Sequence, residues 1–136
     1  MVEGRHQFDL CEFDEVFMKT LGLSWETVID ANKRWLLLHG YSVGEGYNKS
    51  NVSVGIELPP TYPDTQIDMV YFFPHIARMD GQPIAKLTDQ AFDGKVWQRW
   101  SRHRTATNPW RREYDCVETH LLLVDEWLER EIRRAA

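Results

Sequence analysis

Residues 51–60, NVSVGIELPP, place Val52, Val54, Ile56 and Leu58 in strict alternation with Ser53, Gly55 and Glu57, and end on two prolines. A period of two sends successive side chains to opposite faces, so this stretch is a strand with one buried face that stops where the backbone loses its N–H donors. It cannot be an amphipathic helix. Residues on either side extend the pattern into a sheet. Residues 34–41, RWLLLHGY, are short, apolar and bounded by Gly40, and the Gly- and Asn-rich SVGEGYNKSN between them has the content of a hairpin connection. Residues 66–74, QIDMVYFFP, supply a third strand that is apolar on both faces and ends at Pro74.

Helices are expected at both ends of this meander. Residues 13–34, FDEVFMKTLGLSWETVIDANKR, read as one or two short helices, with Gly22 as a stop and Ser24 as the N-cap of the second. From Asp115 onward, Val117, Leu121, Val124, Leu128 and Ile132 follow helical spacing. Asp115 and Glu118 resemble a capping box, and Arg130, Arg133 and Arg134 favour the negative end of the helix dipole. Between His75 and Tyr114 no periodicity persists, and a connection of that length is expected to be a long functional loop. The order implies an α+β domain: about four antiparallel strands with helices on one face, the last of which buries Leu121, Val124 and Leu128.

Length and composition narrow the class. A chain of 136 residues with 43% hydrophobic content suits one globular domain, spanning 1–136, that buries about two-thirds of its unfolded surface. No apolar run reaches the roughly 20 residues of a membrane span, and the acidic N-terminus suits neither a signal nor a transit peptide, so a cytoplasmic protein is expected. Cys11 and Cys116 are too few for a disulfide framework and lie in no zinc-binding spacing; reduced thiols, no metal and no cofactor are expected.

Charge is distributed unevenly. Net charge is −5, yet residues 95–112 hold Lys95, Arg99, Arg102, Arg104, Arg111 and Arg112 and no carboxylate, so +6 sits in one segment and −11 in the rest. Such a segment suits an anion or an acidic partner, a solvated basic loop being the plainer reading. Its three tryptophans, Trp97, Trp100 and Trp110, either pin a long loop to the body or contact a partner.

Taken together, ELPPTYPDTQIDMVYFFPHI, RWLLLHGY, WSRH and THLLLV resemble the ubiquitin-conjugating enzyme fold, and in particular its prokaryotic family-E branch, from about Trp35 to Leu128. In that fold a Tyr-Pro pair, here Tyr62-Pro63, precedes a sheet strand, and a long flap carrying the active site follows. The resemblance implies a conjugating-enzyme-like, UBC-like domain in a bacterial ubiquitin-like conjugation pathway, possessing transferase activity. Its partners would be a ubiquitin-like protein, an activating enzyme and a deconjugating peptidase, in a setting such as antiviral defence. The family's usual catalytic cysteine position falls at or beside Ala85, and the motif asparagine has no match after Pro74-His75.

Acyl transfer needs a nucleophile, and the residues leave alternatives open. Ser101 has His103 two residues on as a base, with Arg99, Arg102 and Arg104 around it to steady an oxyanion or a partner's backbone. His75 could assist proton transfer. Cys116, at the start of the last helix, is the alternative nucleophile, although Asp115 beside it opposes ionisation. Cys11, among Glu12, Asp14 and Glu15, suits a thiolate still less, and His39 and His120 read as structural. The partner-binding set is then Arg99, Arg102, Arg104, Trp97 and Trp100, and reversal of Arg102 and Arg104 is expected to leave melting nearly unchanged. Two rival classes stand beside this reading. One is an inactive conjugating-fold scaffold that binds the ubiquitin-like protein or activating enzyme. The other is an anion or nucleic-acid module, ranked third because the chain as a whole is acidic.

Overall fold

The computed structural model describes residues 4–134. Helix α1 (Glu12–Leu21) is followed by strands β1 (Ser24–Asp30), β2 (Lys33–Ser42), β3 (Asn51–Leu58), β4 (Val70–Phe73), β5 (Leu87–Phe92) and β6 (Lys95–Trp100), and by helix α2 (Val117–Arg133). The strands form one antiparallel sheet in the order β1-β2-β3-β4-β6-β5. The α+β class and the antiparallel meander are as expected; six strands stand in place of about four.

Two expectations fail for the same local reason, an unread two-residue turn. Residues 24–30 form strand β1, so Ser24 caps no helix; Ala31 and Asn32 both take positive φ, 52° and 64°, and fold β1 back onto β2 with Asp30 opposite Lys33. Two successive positive φ values mark the type I′ turn, whose twist matches that of the flanking strands. Asp93 and Gly94, at φ 52° and 73°, do the same between β5 and β6, with Phe92 opposite Lys95. The region expected to be one long loop therefore contains a hairpin, and Val96–Trp100 is a strand inside the sheet rather than part of a flap.

Alternation then distributes the core over both faces. Leu36, Leu38, Val54, Ile56, Val70, Phe72 and Trp100 point to one face, where they pack with Met18 of α1 and with Val117, Leu121, Val124 and Leu128 of α2. Trp35, Leu37, Tyr71 and Trp97, offset by one position, point to the other and form a second cluster with Val28 and Phe92. Among the described residues no helix covers that second face. The sheet covers it by curling: Phe92 stacks on Trp35 with centroids 3.7 Å apart, and on Trp97 at 4.7 Å. The turns of the two edge hairpins meet, since the Asp93 N–H donates to Asp30 Oδ2 at 2.8 Å and Arg5 grips both Asp93 oxygens at 2.7 Å. Arg5 and Gln7 also pair with Thr27, which covers the free edge of β1.

Helix α2 starts one residue later than the sequence pattern suggests. Its N-cap is Cys116, whose sulfur accepts the Thr119 N–H while Thr119 Oγ1 accepts the Cys116 N–H at 2.9 Å. The Asp115/Glu118 capping box is thus replaced by a Cys116/Thr119 one. Asp115 faces back, accepting the Arg111 N–H at 2.7 Å.

Candidate functional site

Strand β6 delivers its last residues to a crowded junction. The Trp100 indole donates to the Ala85 carbonyl at 3.1 Å, and the Ser101 N–H to the Lys86 carbonyl at 3.0 Å. The Arg102 N–H then closes a tight turn on the Trp100 carbonyl at 2.9 Å, leaving Ser101 half-buried at its apex. The chain leaves the sheet here, and the Arg102 carbonyl accepts the Met69 N–H at 3.1 Å. That contact brings the approach to β4 beside the segment that follows Ser101.

His103 is exposed and its Nδ1 lies 2.7 Å from Asp68 Oδ1. A carboxylate can only accept, so Nδ1 carries the proton, and in the neutral ring Nε2 is left as a base with no partner among the described residues. An imidazole oriented by a carboxylate two residues from a hydroxyl is the component set of nucleophilic catalysis. No hydrogen bond joins Ser101 to His103 among the described residues. His75 is engaged elsewhere, its Nε2 2.7 Å from Asp89 Oδ1 on β5. Its neighbour Ile76 is clamped at both N–H and carbonyl, at 2.9 and 3.0 Å, by the buried Gln98 amide of β6. Asp68, Asp89 and Gln98 did not stand out in the sequence, because a single acidic or amide residue carries no periodic or motif signal.

The thiols sit in structural settings. Cys116 is half-buried and occupied in capping α2. Burial, and then the nearby Asp14 charge, push the Cys11 thiol above its usual range, which disfavours the thiolate. Ala85 is exposed and holds the Trp100 indole through its carbonyl. Among the described residues no group of three or more His, Cys, Asp or Glu could hold a metal ion, and no helix is long and apolar enough to cross a membrane.

The basic segment is mostly turned inward. Trp97 and Trp100 are both 0% exposed, so each is a core residue, one on either face of the sheet, and neither offers a partner contact or an exposed platform for a nucleobase. Arg99 donates to Gln90 at 2.9 Å on the neighbouring strand. Arg102 lies over the Trp100 ring at 4.7 Å and reaches Glu131 at 3.3 Å. Arg104 lies over Trp110 at 5.0 Å and pairs with Asp115 at 3.5 Å, both side chains only 6% exposed. Burial pushes Glu131 upward, but the hydrogen bonds from Arg134 and Arg78 outweigh it and hold the carboxyl below its ordinary range. Lys95, Arg111 and Arg112 are the exposed cations of the segment, Lys95 lying over the Phe73 ring at 5.2 Å.

The curated proteins and the solved structures gave no match to the chain. A family model did: prokaryotic E2 family E matches residues 10–131, from just before α1 into the last turn of α2, and the α+β architecture with its antiparallel sheet and flanking helices is consistent with the UBC-like fold. The chain belongs to prokaryotic E2 family E.

Proposed function

We propose that the chain, read as one conjugating-fold domain, is an acyl carrier in a bacterial ubiquitin-like conjugation pathway, with Ser101 as the acceptor and His103 as its base. The observation that carries this reading is the Asp68–His103 pair at 2.7 Å, two residues from a half-buried hydroxyl. In the step, Ser101 Oγ attacks the carbonyl of the thioester that joins the ubiquitin-like protein's C-terminus to the activating enzyme. The hydroxyl proton passes to His103 Nε2, the C–S bond breaks, and the departing thiolate takes the proton back. The product on this chain is an oxyester. Formation of the Ser101–His103 hydrogen bond on substrate arrival is consistent with the looser geometry of unliganded sites. Exposed Arg111 and Arg112 are the charges best disposed to meet an acidic partner, in a cytoplasmic pathway that would also include a deconjugating peptidase and could serve antiviral defence.

The test mixes the domain with activating enzyme, ATP and ubiquitin-like protein. The expected adduct resists reducing agent and is cleaved by hydroxylamine. Ser101→Ala abolishes it, Cys116→Ser leaves it intact, and His103→Ala slows it by about 10²- to 10⁴-fold, the usual worth of a positioned base. An adduct that reducing agent releases and Cys116→Ser abolishes would reassign the nucleophile. Ala85 at the position where the family usually carries its thiol favours a second reading, a scaffold without chemistry. Binding of the ubiquitin-like protein with no adduct under any condition would establish it.

A further inference from the structure

Asp68 precedes a residue in a demanding conformation. Met69 has φ 61°, in the left-handed region that long side chains rarely adopt, so its backbone must be held from outside. Three hydrogen bonds hold it. Its N–H faces the Arg102 carbonyl and Asp68 Oδ1, each at 3.1 Å, and its carbonyl lies 2.8 Å from His120 Nε2. The first contact ties Met69 directly to the Ser101–His103 segment, and the second ties it to the Asp68 oxygen that also meets His103. The third ties it to α2.

His120 is fully buried, with its ring edge-on to Trp127. Its partner is a carbonyl, so Nε2 carries the ring proton, and Nδ1 is buried with no hydrogen-bond partner among the described residues. A leucine would fill such a core position without that orphaned nitrogen, whose desolvation is a real cost. The contact to Met69 is what the imidazole contributes that an apolar side chain would not.

We infer that His120 is a positioning residue: by holding the Met69 carbonyl it fixes the backbone that aims Asp68 at His103, and so keeps His103 protonated on Nδ1 with Nε2 free. The relay runs His120, Met69, Asp68, His103. Its catalytic meaning rests on the acyl-carrier reading above, but the His103 tautomer is a property of the isolated domain and can be read with no partner present.

The experiment records long-range ¹H–¹⁵N imidazole spectra of the full chain at alkaline pH, where the imidazole rings are neutral. The wild type is expected to show His103 with a protonated Nδ1. His120→Leu, or His120→Met should the branched side chain not fold, removes the donor and shifts His103 toward the Nε2-protonated tautomer. His120→Gln, whose amide N–H can reach the same carbonyl, restores the wild-type pattern. Val124→Ala, a core loss on the same helix, lowers stability and leaves the pattern unchanged. In the adduct assay His120→Leu slows formation by about 10- to 100-fold, by analogy with the loss of an outer partner that orients a metal-bound histidine. An unchanged His103 signature in folded His120→Leu or His120→Met overturns the relay, whatever Ser101 does. A shifted signature with no Ser101 adduct in the wild type leaves the relay standing and removes the acyl-carrier reading.

Discussion

The Tyr62 hydroxyl donates to Asp14 Oδ2 at 2.5 Å, and the same hydroxyl oxygen accepts the Val117 N–H at 3.0 Å. One phenol thus joins α1, the proline turn and the first residue of α2. Asp14 is 0% exposed; burial raises its carboxyl above the ordinary range, opposed by the hydrogen bonds from Tyr62 and Val117. A carboxylate there also complements the positive end of α2. Pro63 adds a further tie, its carbonyl accepting the Trp110 indole at 2.9 Å. The Tyr62-Pro63 pair is therefore a clasp between the two helices and the loop before α2.

That arrangement predicts the effect of Tyr62→Phe. The ring still packs, but Asp14 loses its closest donor and the Val117 N–H loses an acceptor, which costs about 1–3 kcal/mol for buried groups left short of partners. Urea unfolding should show the loss in the midpoint with an unchanged slope. A shift of a few tenths of a kcal/mol would mean that the clasp is idle.

Arg104 leads to a different expectation from the one its sequence context suggests. Its side chain and that of Asp115 are each 6% exposed and 3.5 Å apart, so Arg104→Glu sets two carboxylates together in a desolvated site. A loss of about 3–5 kcal/mol is expected, the scale of breaking a buried ion pair, and thermal melts would show it as a large drop. Arg102→Glu, facing the buried Glu131, should destabilise less because its side chain is 32% exposed. Reversing the exposed Arg111 and Arg112 should change stability by no more than about 0.5 kcal/mol, and weaken partner binding in a salt-dependent way if they are the docking charges.

What the sequence made legible follows from which signals are local. The alternation of Val52, Val54, Ile56 and Leu58 survives as β3, and the spacing of Leu121, Val124 and Leu128 survives as the buried stripe of α2, because each reports one face against one core. The second core did not show, since it is made by residues far apart in the chain: Val28, Trp35, Tyr71, Phe92 and Trp97 become neighbours only when the sheet curls. Asp93-Gly94 was a readable hairpin signal, flanked by apolar Phe92 and Val96. The density of arginine and tryptophan after it invited a surface reading instead. In the site, Ser101 and His103 stood out by proximity in sequence, whereas Asp68 lies 35 residues away and only the fold brings it to His103.

Gly55 tests the curled sheet directly. A Cβ at that position would lie 3.2 Å from the Phe92 ring and 3.4 Å from both the Trp97 ring and the Tyr71 Cβ, so any side chain there presses on the second aromatic cluster. Gly55→Val should overpack this cluster and cost about 1–3 kcal/mol despite the better strand propensity of valine. Near-ultraviolet circular dichroism should report the disturbed tryptophans while the far-ultraviolet spectrum holds. A stabilised Gly55→Val would mean that the rings of Phe92 and Trp97 do not close over Gly55.

His120 gives the pH dependence. Burial pushes its pKa from 6.5 down to about 4, partly offset by the Met69 carbonyl; Arg104 lowers it further, and Asp68 and Asp115 act the other way. In the unfolded chain the ring regains its ordinary affinity for protons, so between about pH 4 and 6.5 the unfolded state binds more protons than the folded one. Stability therefore rises with pH through that window and is lost as pH falls through it, by up to on the order of 3 kcal/mol if this group acted alone. Asp14 and Asp125, whose carboxyls are raised, oppose the trend, while Glu26, Asp80, Asp93 and Glu131, whose carboxyls are lowered, reinforce it at the acid end. The difference between wild type and His120→Gln isolates the histidine, since glutamine keeps a donor for Met69 but does not titrate. Urea midpoints measured from pH 7 down to pH 4.5 should fall more steeply for the wild type than for His120→Gln, and parallel curves would show that the ring is solvated rather than buried.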